Sequence, residues 1–403
     1  GQWTVKYSGP VYRVGGKMVK FKMDTKDLAE SIGVISACTA APKSVIKISL
    51  LSKKTKSKDT GEGNLIMFLC YDEKKQIATF STACEVQMEE NVHEMYVDGK
   101  TFSSLAVILG QKDGHVMFEV DKHLSVDGAN SRVEFALLDA AATLAKEKNA
   151  LYQINIESRR LKAILRRGGY AYLGSSRTQA NLRYVSIKFN RQEEKITVCS
   201  SNGNMIAVDE CAKVKYSETD YPEKTHTVLL EGDQLRAVTK TLTDDNTLIE
   251  VYENQLLFRN GLNVCLLRTA DDTYPTDSLL NLAANQDRKC EMKVSVAELL
   301  NAMEIINVVK TENIPICVMK DLGNNRICLQ TKDGNGKTEI EVEKKNSFTE
   351  VIFYADFFKT IISNYDRGAD IFIGVGEPTE IIVIKKEKEY AGISCLLPVK
   401  QGK

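Results

Sequence analysis

Apolar residues recur at helical spacing in three stretches of the chain, and in each stretch a polar residue or a short acidic or hydroxyl cluster comes just before them. The stretches are residues 24–32, 156–165 and 294–305. An amphipathic helix begins in this way, with a capping side chain followed by one apolar face. Because Leu28, Leu161 and Leu299 lie 133 and 138 residues apart, the pattern predicts one unit repeated three times.

A second helical pattern follows in each copy, with apolar trios at the i, i+3, i+7 spacing of one buried stripe. The trios are Phe102, Leu105 and Leu109; Leu235, Val238 and Leu242; and Phe358, Ile361 and Tyr365. Alternating, β-branched segments come next, which predicts antiparallel strands. They are residues 115–120 and 132–138, then 248–252, 255–258 and 263–267, then 371–375, 380–384 and 392–397. The chain is therefore predicted to be α+β, with three copies of a two-helix, many-strand unit.

The length supports three domains, because 403 residues exceed what one hydrophobic core usually serves. We place the domains at residues 18–145, 146–276 and 277–403. Residues 1–17 precede them and contain the only tryptophan, Trp3. This segment is interpreted as a native extension, an added strand or a cloning remnant.

Ten cysteines are scattered along the chain, mostly inside apolar runs and without a CxxC pair. Buried, reduced thiols explain such a distribution better than disulfides or zinc binding. No apolar run reaches the ~18 residues of a membrane span, and no charged-then-apolar leader opens the chain. These features predict a soluble, cytoplasmic protein without a membrane partner.

Positive and negative charges cancel, with 54 basic and 54 acidic residues, which argues against a protein that coats nucleic acid by bulk charge. One predicted helix still concentrates positive charge and ends at Gly168 and Gly169. Its basic residues are Arg159, Arg160, Lys162, Arg166 and Arg167. They form either a solvated helix face or a surface for phosphates. The lysines within residues 53–58 are interpreted as a turn between two strands.

Motifs for catalysis are missing from the sequence. The four histidines form no metal-binding pair, and neither a GxxxxGK[ST] loop nor a GxGxxG loop after a strand occurs. Acidic pairs at 244–245 and 271–272 could bind a metal, but adjacent strand residues point to opposite faces and acids in turns are usually solvated. The Asp-Gly-Asn-Gly run at 333–336 predicts a hairpin connection. We therefore predict no cofactor, no metal site and no enzymatic activity.

Four segments resemble, in order, landmarks of one known family. They are VKFKM at 19–23 with Asp27 and Leu28, SNGNMIA at 201–207, DTYPTD at 272–277 and CLLPVK at 395–400. These resemble the opening strand and helix, the Thr-Asp-Gly-His-Arg-Leu-Ala segment, the Gly-x-Phe-Pro-Asp-Tyr junction and the Met-Pro-Met-Arg tail of the bacterial sliding clamp. That family is the beta subunit of the replicative DNA polymerase, and the resemblance runs from about residue 18 to residue 400.

The resemblance implies three clamp domains, each with two inner helices and outer antiparallel sheets. Two chains would close head to tail into a homodimeric ring around duplex DNA, which leaves no free sheet edge. Cations would touch phosphates without reading bases, so the ring could slide. Besides the basic helix, Lys43 and Arg183 lie where loops of the family approach DNA.

The resemblance also implies a groove for a short peptide with leucine and phenylalanine anchors, carried by the replicative polymerase, the clamp loader, repair polymerases and ligase-type partners. Its lining here would be Tyr184, Ser201, Gly203, Asn204, Met205, Ile206, Pro275, Leu280, Cys395, Leu396, Leu397, Pro398, Val399 and Lys400. Each buried anchor contributes about 1.5–3 kcal/mol before association costs, which fits an exchangeable contact. Asn204 and Met205 replace the histidine and arginine of the family pattern. Core strand positions are an equally open interpretation of Ile206 and Leu396.

The dimer interface implied by the resemblance joins Val133 and Phe135 of the first domain to Val308 and Val309 of the third. Simple core packing is the alternative for the same residues. Three functions from different classes remain open: a sliding clamp, a scaffold with the clamp fold that does not encircle DNA, and an unrecognised enzyme.

Overall fold

A computed structural model of the protein describes residues 18–39, 44–51, 64–88, 92–139, 143–172, 180–285, 287–309, 315–386 and 392–399. Trp3, Lys43, the lysines within 53–58 and Lys400 lie outside these ranges. The chain divides into two compact units. One comprises Gly1–Gln153 and Arg236–Arg268, and the other comprises Ile154–Leu235 and Thr269–Lys403.

Seven α-helices occur in the described ranges, and six of them are the helices that the apolar spacing predicts. The helices are α1 Thr25–Thr39, α2 Gly99–Leu109, α3 Ser158–Gly168, α4 Gly232–Thr241, α5 Thr276–Ala284, α6 Val296–Val308 and α7 Ala355–Ile362. The three repeated leucines are at most 2% exposed. The side chain of the residue before the helix caps α1, α2 and α6: Asp24 accepts from Asp27 N at 3.4 Å, Asp98 accepts from Thr101 N at 2.8 Å, and Ser295 accepts from Glu298 N at 3.5 Å. The exceptions are small, since Leu242 and Tyr365 lie just beyond α4 and α7.

Strands account for most of the other residues that the structure describes. In the first copy they are β1 Val19–Asp24, β2 Val45–Leu51, β3 Asn64–Tyr71, β4 Lys75–Gln87, β5 Val92–Asp98, β6 His115–Val120, β7 His123–Gly128 and β8 Ser131–Ala136. In the second they are β9 Tyr152–Glu157, β10 Tyr184–Asn190, β11 Lys195–Ser201, β12 Met205–Cys211, β13 Lys215–Tyr216, β14 Thr225–Glu231, β15 Asn246–Val251, β16 Gln255–Asn260 and β17 Asn263–Arg268. In the third they are β18 Cys290–Ser295, β19 Ile316–Gly323, β20 Arg326–Thr331, β21 Lys337–Glu341, β22 Glu343–Lys344, β23 Glu350–Tyr354, β24 Asp370–Val375, β25 Ile382–Lys385 and β26 Ile393–Leu396. Every predicted strand segment overlaps one of these strands, which confirms the α+β class.

The first unit is built on an antiparallel sheet with the order β15-β16-β17-β4-β1-β6-β7-β8, and β3, β2 and β5 continue from β4. Because β4 is 13 residues long, its start pairs with β17 and its end pairs with β1. Helices α1 and α2 pack on this sheet. The core contains the stacked rings of Phe21 and Phe118, whose centroids are 4.6 Å apart, and Phe102 of α2 lies beside them.

The second unit contains two antiparallel sheets. One has the order β14-β10-β11-β12-β26-β25-β24-β18-β22, and the other has the order β21-β20-β19-β23. Helices α6 and α7 bury their apolar faces in the core that the two sheets share. Helix α3 packs on β11 and β12, and α5 covers β11, β12 and β26. The last residue of α3, Gly168, lies so close to the carbonyl oxygen of Val198 that a Cβ would overlap it.

The two units do not follow the predicted domain boundaries at 145 and 276. The middle segment gives β15–β17 to the first unit, where Cys265 of β17 pairs with Ile77 of β4. It gives β10–β12 to the second unit, where Met205 of β12 pairs with Leu396 of β26. Main-chain hydrogen bonds make each sheet continuous, and this continuity outweighs the repeat boundary. The three-domain division stays a prediction.

Two smaller predictions can be compared with the structure. The Asp-Gly-Asn-Gly run joins the paired strands β20 and β21, and Gly334 has a φ of +78°, which confirms the hairpin. Nine of the ten cysteines are buried and all ten are free thiols, while Cys84 is exposed. Within the described residues, no helix is long and apolar enough to cross a membrane.

Candidate functional site

Helix α3 carries the densest positive charge among the helices. Leu161, Ile164 and Leu165 are buried, and they hold one face of the helix against the sheet. Arg159, Lys162 and Arg166 are exposed, whereas Arg160 and Arg167 are half-buried. The amphipathic pattern of the sequence therefore correctly separates an apolar face from a basic one.

Three of the five basic side chains on α3 bind other parts of the protein. The guanidinium of Arg160 donates to the carbonyl oxygen of Ala212. Arg166 Nη2 donates to the carbonyl oxygen of Asn364 at 3.0 Å. Arg167 Nε lies 2.6 Å from Asp209 Oδ2 in an ion pair. Within the described part of the chain, the side chains of Arg159 and Lys162 are the two basic ones of this helix that make no hydrogen bond or ion pair. The sequence alone does not show which of these side chains bind the protein, because their partners lie in other parts of the chain.

Asp209 is the buried member of this arrangement, with a side chain that is 1% exposed. Burial raises the pKa of its carboxyl group above the ordinary value, and the Arg167 guanidinium opposes this effect. The backbone N–H of Glu210 donates to Asp209 Oδ1 at 2.8 Å. Arg167 therefore supplies the positive charge that neutralises this buried carboxylate.

Arg183, the other described residue predicted to face DNA, ends a short 3₁₀ helix, Ala180–Arg183. Its guanidinium donates to the Tyr184 hydroxyl at 2.7 Å and lies 4.9 Å from the centre of that ring. The hydrogen bond to Tyr184 and the charge of Glu231 raise the pKa of Arg183. The side chain remains exposed, so a charged group is available at this position. Lys43 lies outside the described residues.

Six of the predicted groove residues are core residues in the structure. They are Tyr184, Ser201, Met205, Ile206, Cys395 and Leu396, and none is more than 4% exposed. Because strand residues alternate between faces, Met205 and Leu396 enter the core around α6 and α7, whereas Ile206 and Cys395 enter the cluster beneath α5. The core interpretation of Ile206 and Leu396 agrees with this burial. The replacement at Met205 therefore changes a core position.

The remaining described groove residues keep some exposed surface. They are Gly203, Asn204, Pro275, Leu280, Leu397, Pro398 and Val399. Leu397 N donates to the Asn204 carbonyl oxygen at 2.8 Å, which places Leu397 beside the β11–β12 turn. Leu280 and Leu397 pack at the margin of the same apolar cluster. Lys400 lies outside the described residues.

Helix α5 packs on the same apolar cluster and was not predicted. Leu279 and Ala283 point into the cluster, and Tyr274 and Ile381 pack at its margin. The helix is anchored at its start, because the hydroxyls of Thr276 and Ser186 are 2.7 Å apart. A proline followed by polar residues and then leucines is a helix-start signal that the sequence does contain.

The residues of the predicted dimer interface differ in exposure. Val308, the last residue of α6, is 84% exposed, and Val309 is half-buried. Phe135 of β8 is 5% exposed and packs edge-on against Phe102 at 5.4 Å, so it belongs to the core of the first unit. Val133 is half-buried on the same strand. Among these four residues, only Val308 exposes most of its apolar side chain.

No group of three histidine, cysteine, aspartate or glutamate side chains comes together as a metal site within the residues that the structure describes. The acidic pair at 271–272 is exposed in a turn. The pair at 244–245 is also exposed, and Asp244 N donates to the Asn260 side chain at 2.7 Å.

The paired sheets, the repeated helices and the basic helix define the DNA sliding clamp fold. Solved structures of sliding clamps match the chain over nearly its whole length. The clamp from Bacillus subtilis is 19% identical with a TM-score of 0.75, and the match covers 96% of this chain and 100% of that one. The DNA polymerase III beta subunit of Thermotoga maritima is 13% identical with a TM-score of 0.76, with coverages of 95% and 100%. The clamp from Pseudomonas aeruginosa is 12% identical with a TM-score of 0.77, with coverages of 96% and 100%.

Neither a protein-family model nor a curated protein sequence matches the chain. The likeness to the solved structures therefore concerns the fold, which confirms the resemblance drawn from the sequence at that level.

Proposed function

We propose that the protein is a DNA sliding clamp, a non-catalytic processivity factor that encircles duplex DNA and tethers the replicative polymerase. The observation that carries the proposal is the match to sliding clamps over 95–96% of the chain. The exposed cations of α3 would contact phosphates, and Arg183 and Lys43 would add contacts from loops. Contacts of this kind are weak and independent of base sequence, which suits a ring that must hold DNA and still move.

The ring would form from two chains, head to tail. Two sheet edges support this proposal, because β8 and β21 each lie at the end of a sheet. Arg132 on β8 and Glu341 on β21 are exposed and have opposite charges. Val308 would be covered by the second subunit near Val133. Closure after two subunits would remove both free edges.

Partner peptides would bind beside α5, where Leu280, Leu397 and Pro398 retain exposed apolar surface. The clamp loader, the replicative polymerase, repair polymerases and ligase-type proteins would share this site. An apolar anchor of such a peptide would be buried against Leu280 and Leu397, at about 1.5–3 kcal/mol for each anchor before association costs. Exchange between partners requires contacts of this modest strength.

The test of the proposed function is topological. The purified protein is loaded by its clamp loader onto a nicked circular DNA, and the circle is then linearised. A sliding clamp stays on the closed circle at high salt and is released after cutting. Salt-sensitive binding that is the same on circular and linear DNA would contradict encirclement.

A scaffold with the clamp fold that does not encircle DNA is the second candidate, and the charges of the other repeated helices favour it. Helix α6 contains Glu298 and Glu304 and no basic residue. In α1, Lys26 is paired with Asp113 at 2.7 Å, and Asp27 and Glu30 are exposed. A scaffold would dimerise and bind peptides, but it would not remain on the closed circle at high salt.

A further inference from the structure

The five basic residues of α3 fall on two different sides of the helix. Arg159, Lys162 and Arg166 have the i, i+3, i+7 spacing of one exposed stripe. Arg160 and Arg167 are seven residues apart, so they share a second side about 100° around the helix. That second side borders the buried face, which explains why both arginines are half-buried. The difference in burial separates two kinds of arginine within one basic run.

Both arginines on the second side bind the same part of the neighbouring sheet. Arg167 is paired with Asp209 near the end of β12 at 2.6 Å. Arg160 donates to the carbonyl oxygen of Ala212, the residue that follows β12. Two contacts, two helical turns apart, therefore fix α3 along the end of this strand.

The ion pair with Asp209 has a strong reason to persist. Taking a carboxylate out of water without a partner is unfavourable, and removing one member of a buried pair is strongly destabilising because it leaves an uncompensated buried charge. Because the Asp209 side chain is 1% exposed, Arg167 cannot leave it for a phosphate without exposing the protein to that cost. Within the described residues, Arg159 and Lys162 have no buried acidic partner that would keep them from a phosphate.

We propose that Arg160 and Arg167 are positioning residues that hold α3 on β12, and that Arg159, Lys162 and Arg166 are the only residues of this helix that contact the phosphates of duplex DNA. This inference rests on the proposed clamp function and narrows the DNA-contacting surface of α3 to one exposed stripe. Arg166 also donates to the Asn364 carbonyl at 3.0 Å, which leaves its other N–H groups for a phosphate.

The experiment measures how the affinity for a linear duplex depends on salt, by fluorescence anisotropy of the full-length protein. Because log K falls as log salt rises, the slope is negative, and removal of one phosphate-binding cation lowers its absolute value by about 0.9. Arg159→Ala and Lys162→Ala should each lower the absolute slope by up to this amount, with no change in the melting temperature.

Variants of the positioning residues should behave in the opposite way. Arg167→Met alone should lower the melting temperature and weaken DNA binding, because Asp209 would then have no cation beside it. The double variant Arg167→Met with Asp209→Leu keeps the net charge and replaces the ion pair by an apolar contact, which is often neutral for stability. It should restore the melting temperature and the slope of the parent protein. Arg160→Met, which leaves no buried charge unpaired, should also keep the parent slope.

The outcomes separate the inference from the proposed function. If the absolute slope falls as far in the double variant or in Arg160→Met as in Arg159→Ala, these arginines contact phosphates and the inference is wrong. If Arg159→Ala and Lys162→Ala both keep the slope of the parent protein, the exposed stripe does not contact phosphates and the inference is wrong. If the parent protein binds no duplex and is not retained on the closed circle, the proposed function itself fails.

Discussion

The exposed valine at the end of α6 gives the sharpest test of the ring. Val308 is 84% exposed in the single chain, so a contact with a second subunit would bury nearly its whole side chain. Burial of a valine contributes about 1.5–2 kcal/mol, and a two-fold symmetric ring contains the contact twice. Val308→Asp should therefore cost about 3–4 kcal/mol, and desolvation of the carboxylates adds to this. At about 1.4 kcal/mol for each factor of ten, the dissociation constant of the dimer should rise roughly 100- to 1000-fold.

The assay is molar mass in solution, by light scattering or sedimentation over a range of protein concentrations. The parent protein should run near twice its 44.9 kDa chain mass, and Val308→Asp should run as a monomer at concentrations where the parent is dimeric. Leu262→Asp is the matched control, because Leu262 is 59% exposed at the turn between β16 and β17. Its mass should equal that of the parent. A dimeric Val308→Asp protein with normal circular dichroism would refute the assignment of this residue to the interface.

Three further predictions concern the groove and the stability of the fold. Leu280→Glu should weaken binding of an apolar-anchored partner peptide at least about tenfold in a titration, without a change in melting temperature, because Leu280 lies at the margin of its cluster. Burial opposes ionisation of Asp321, but the Lys344 ammonium and two backbone N–H groups lower the pKa of Asp321 below its ordinary value of 3.8. The ion pair of Lys344 and Asp321, at 2.5 Å, should stabilise the protein fully above pH ~4, and this stabilisation should be lost as the pH falls through the lowered pKa. Asp321→Asn should therefore flatten the acid side of a plot of the urea midpoint against pH. An unchanged plot would contradict the contribution of this ion pair to stability. Gly168→Ala should destabilise the protein by about 1–3 kcal/mol through overlap with the neighbouring strand, whereas Gly33→Ala, in open space on α1, should stabilise it by about 0.5–1 kcal/mol in the same urea titration.

The burial of individual side chains in the candidate sites could not be predicted from the sequence. The resemblance implied that residues 201–206 and 395–399 line one groove, which stays a prediction, and the structure shows that these segments are neighbours because β12 pairs with β26. It did not indicate which of these side chains reach the surface. In a strand that is buried on both faces, apolar residues occur at every position, so Met205 and Ile206 look alike in the sequence although they enter different cores.

The spacing of apolar residues along the chain was enough to predict six of the seven described helices and eight of the described strands. The formation of an amphipathic helix depends on the spacing of apolar residues over one or two turns, and this spacing is visible in the sequence around the repeated leucines. Two features depend instead on the packing of distant segments: the strands that continue a sheet beyond their own repeat, as β17 does with β4, and the choice of α3 arginines that bind the protein. Such contacts join residues that are far apart in the chain, and the type of a residue does not specify its partner. Arg159 and Arg167 are the same residue type on the same helix, but only Arg167 lies beside the buried carboxylate of Asp209.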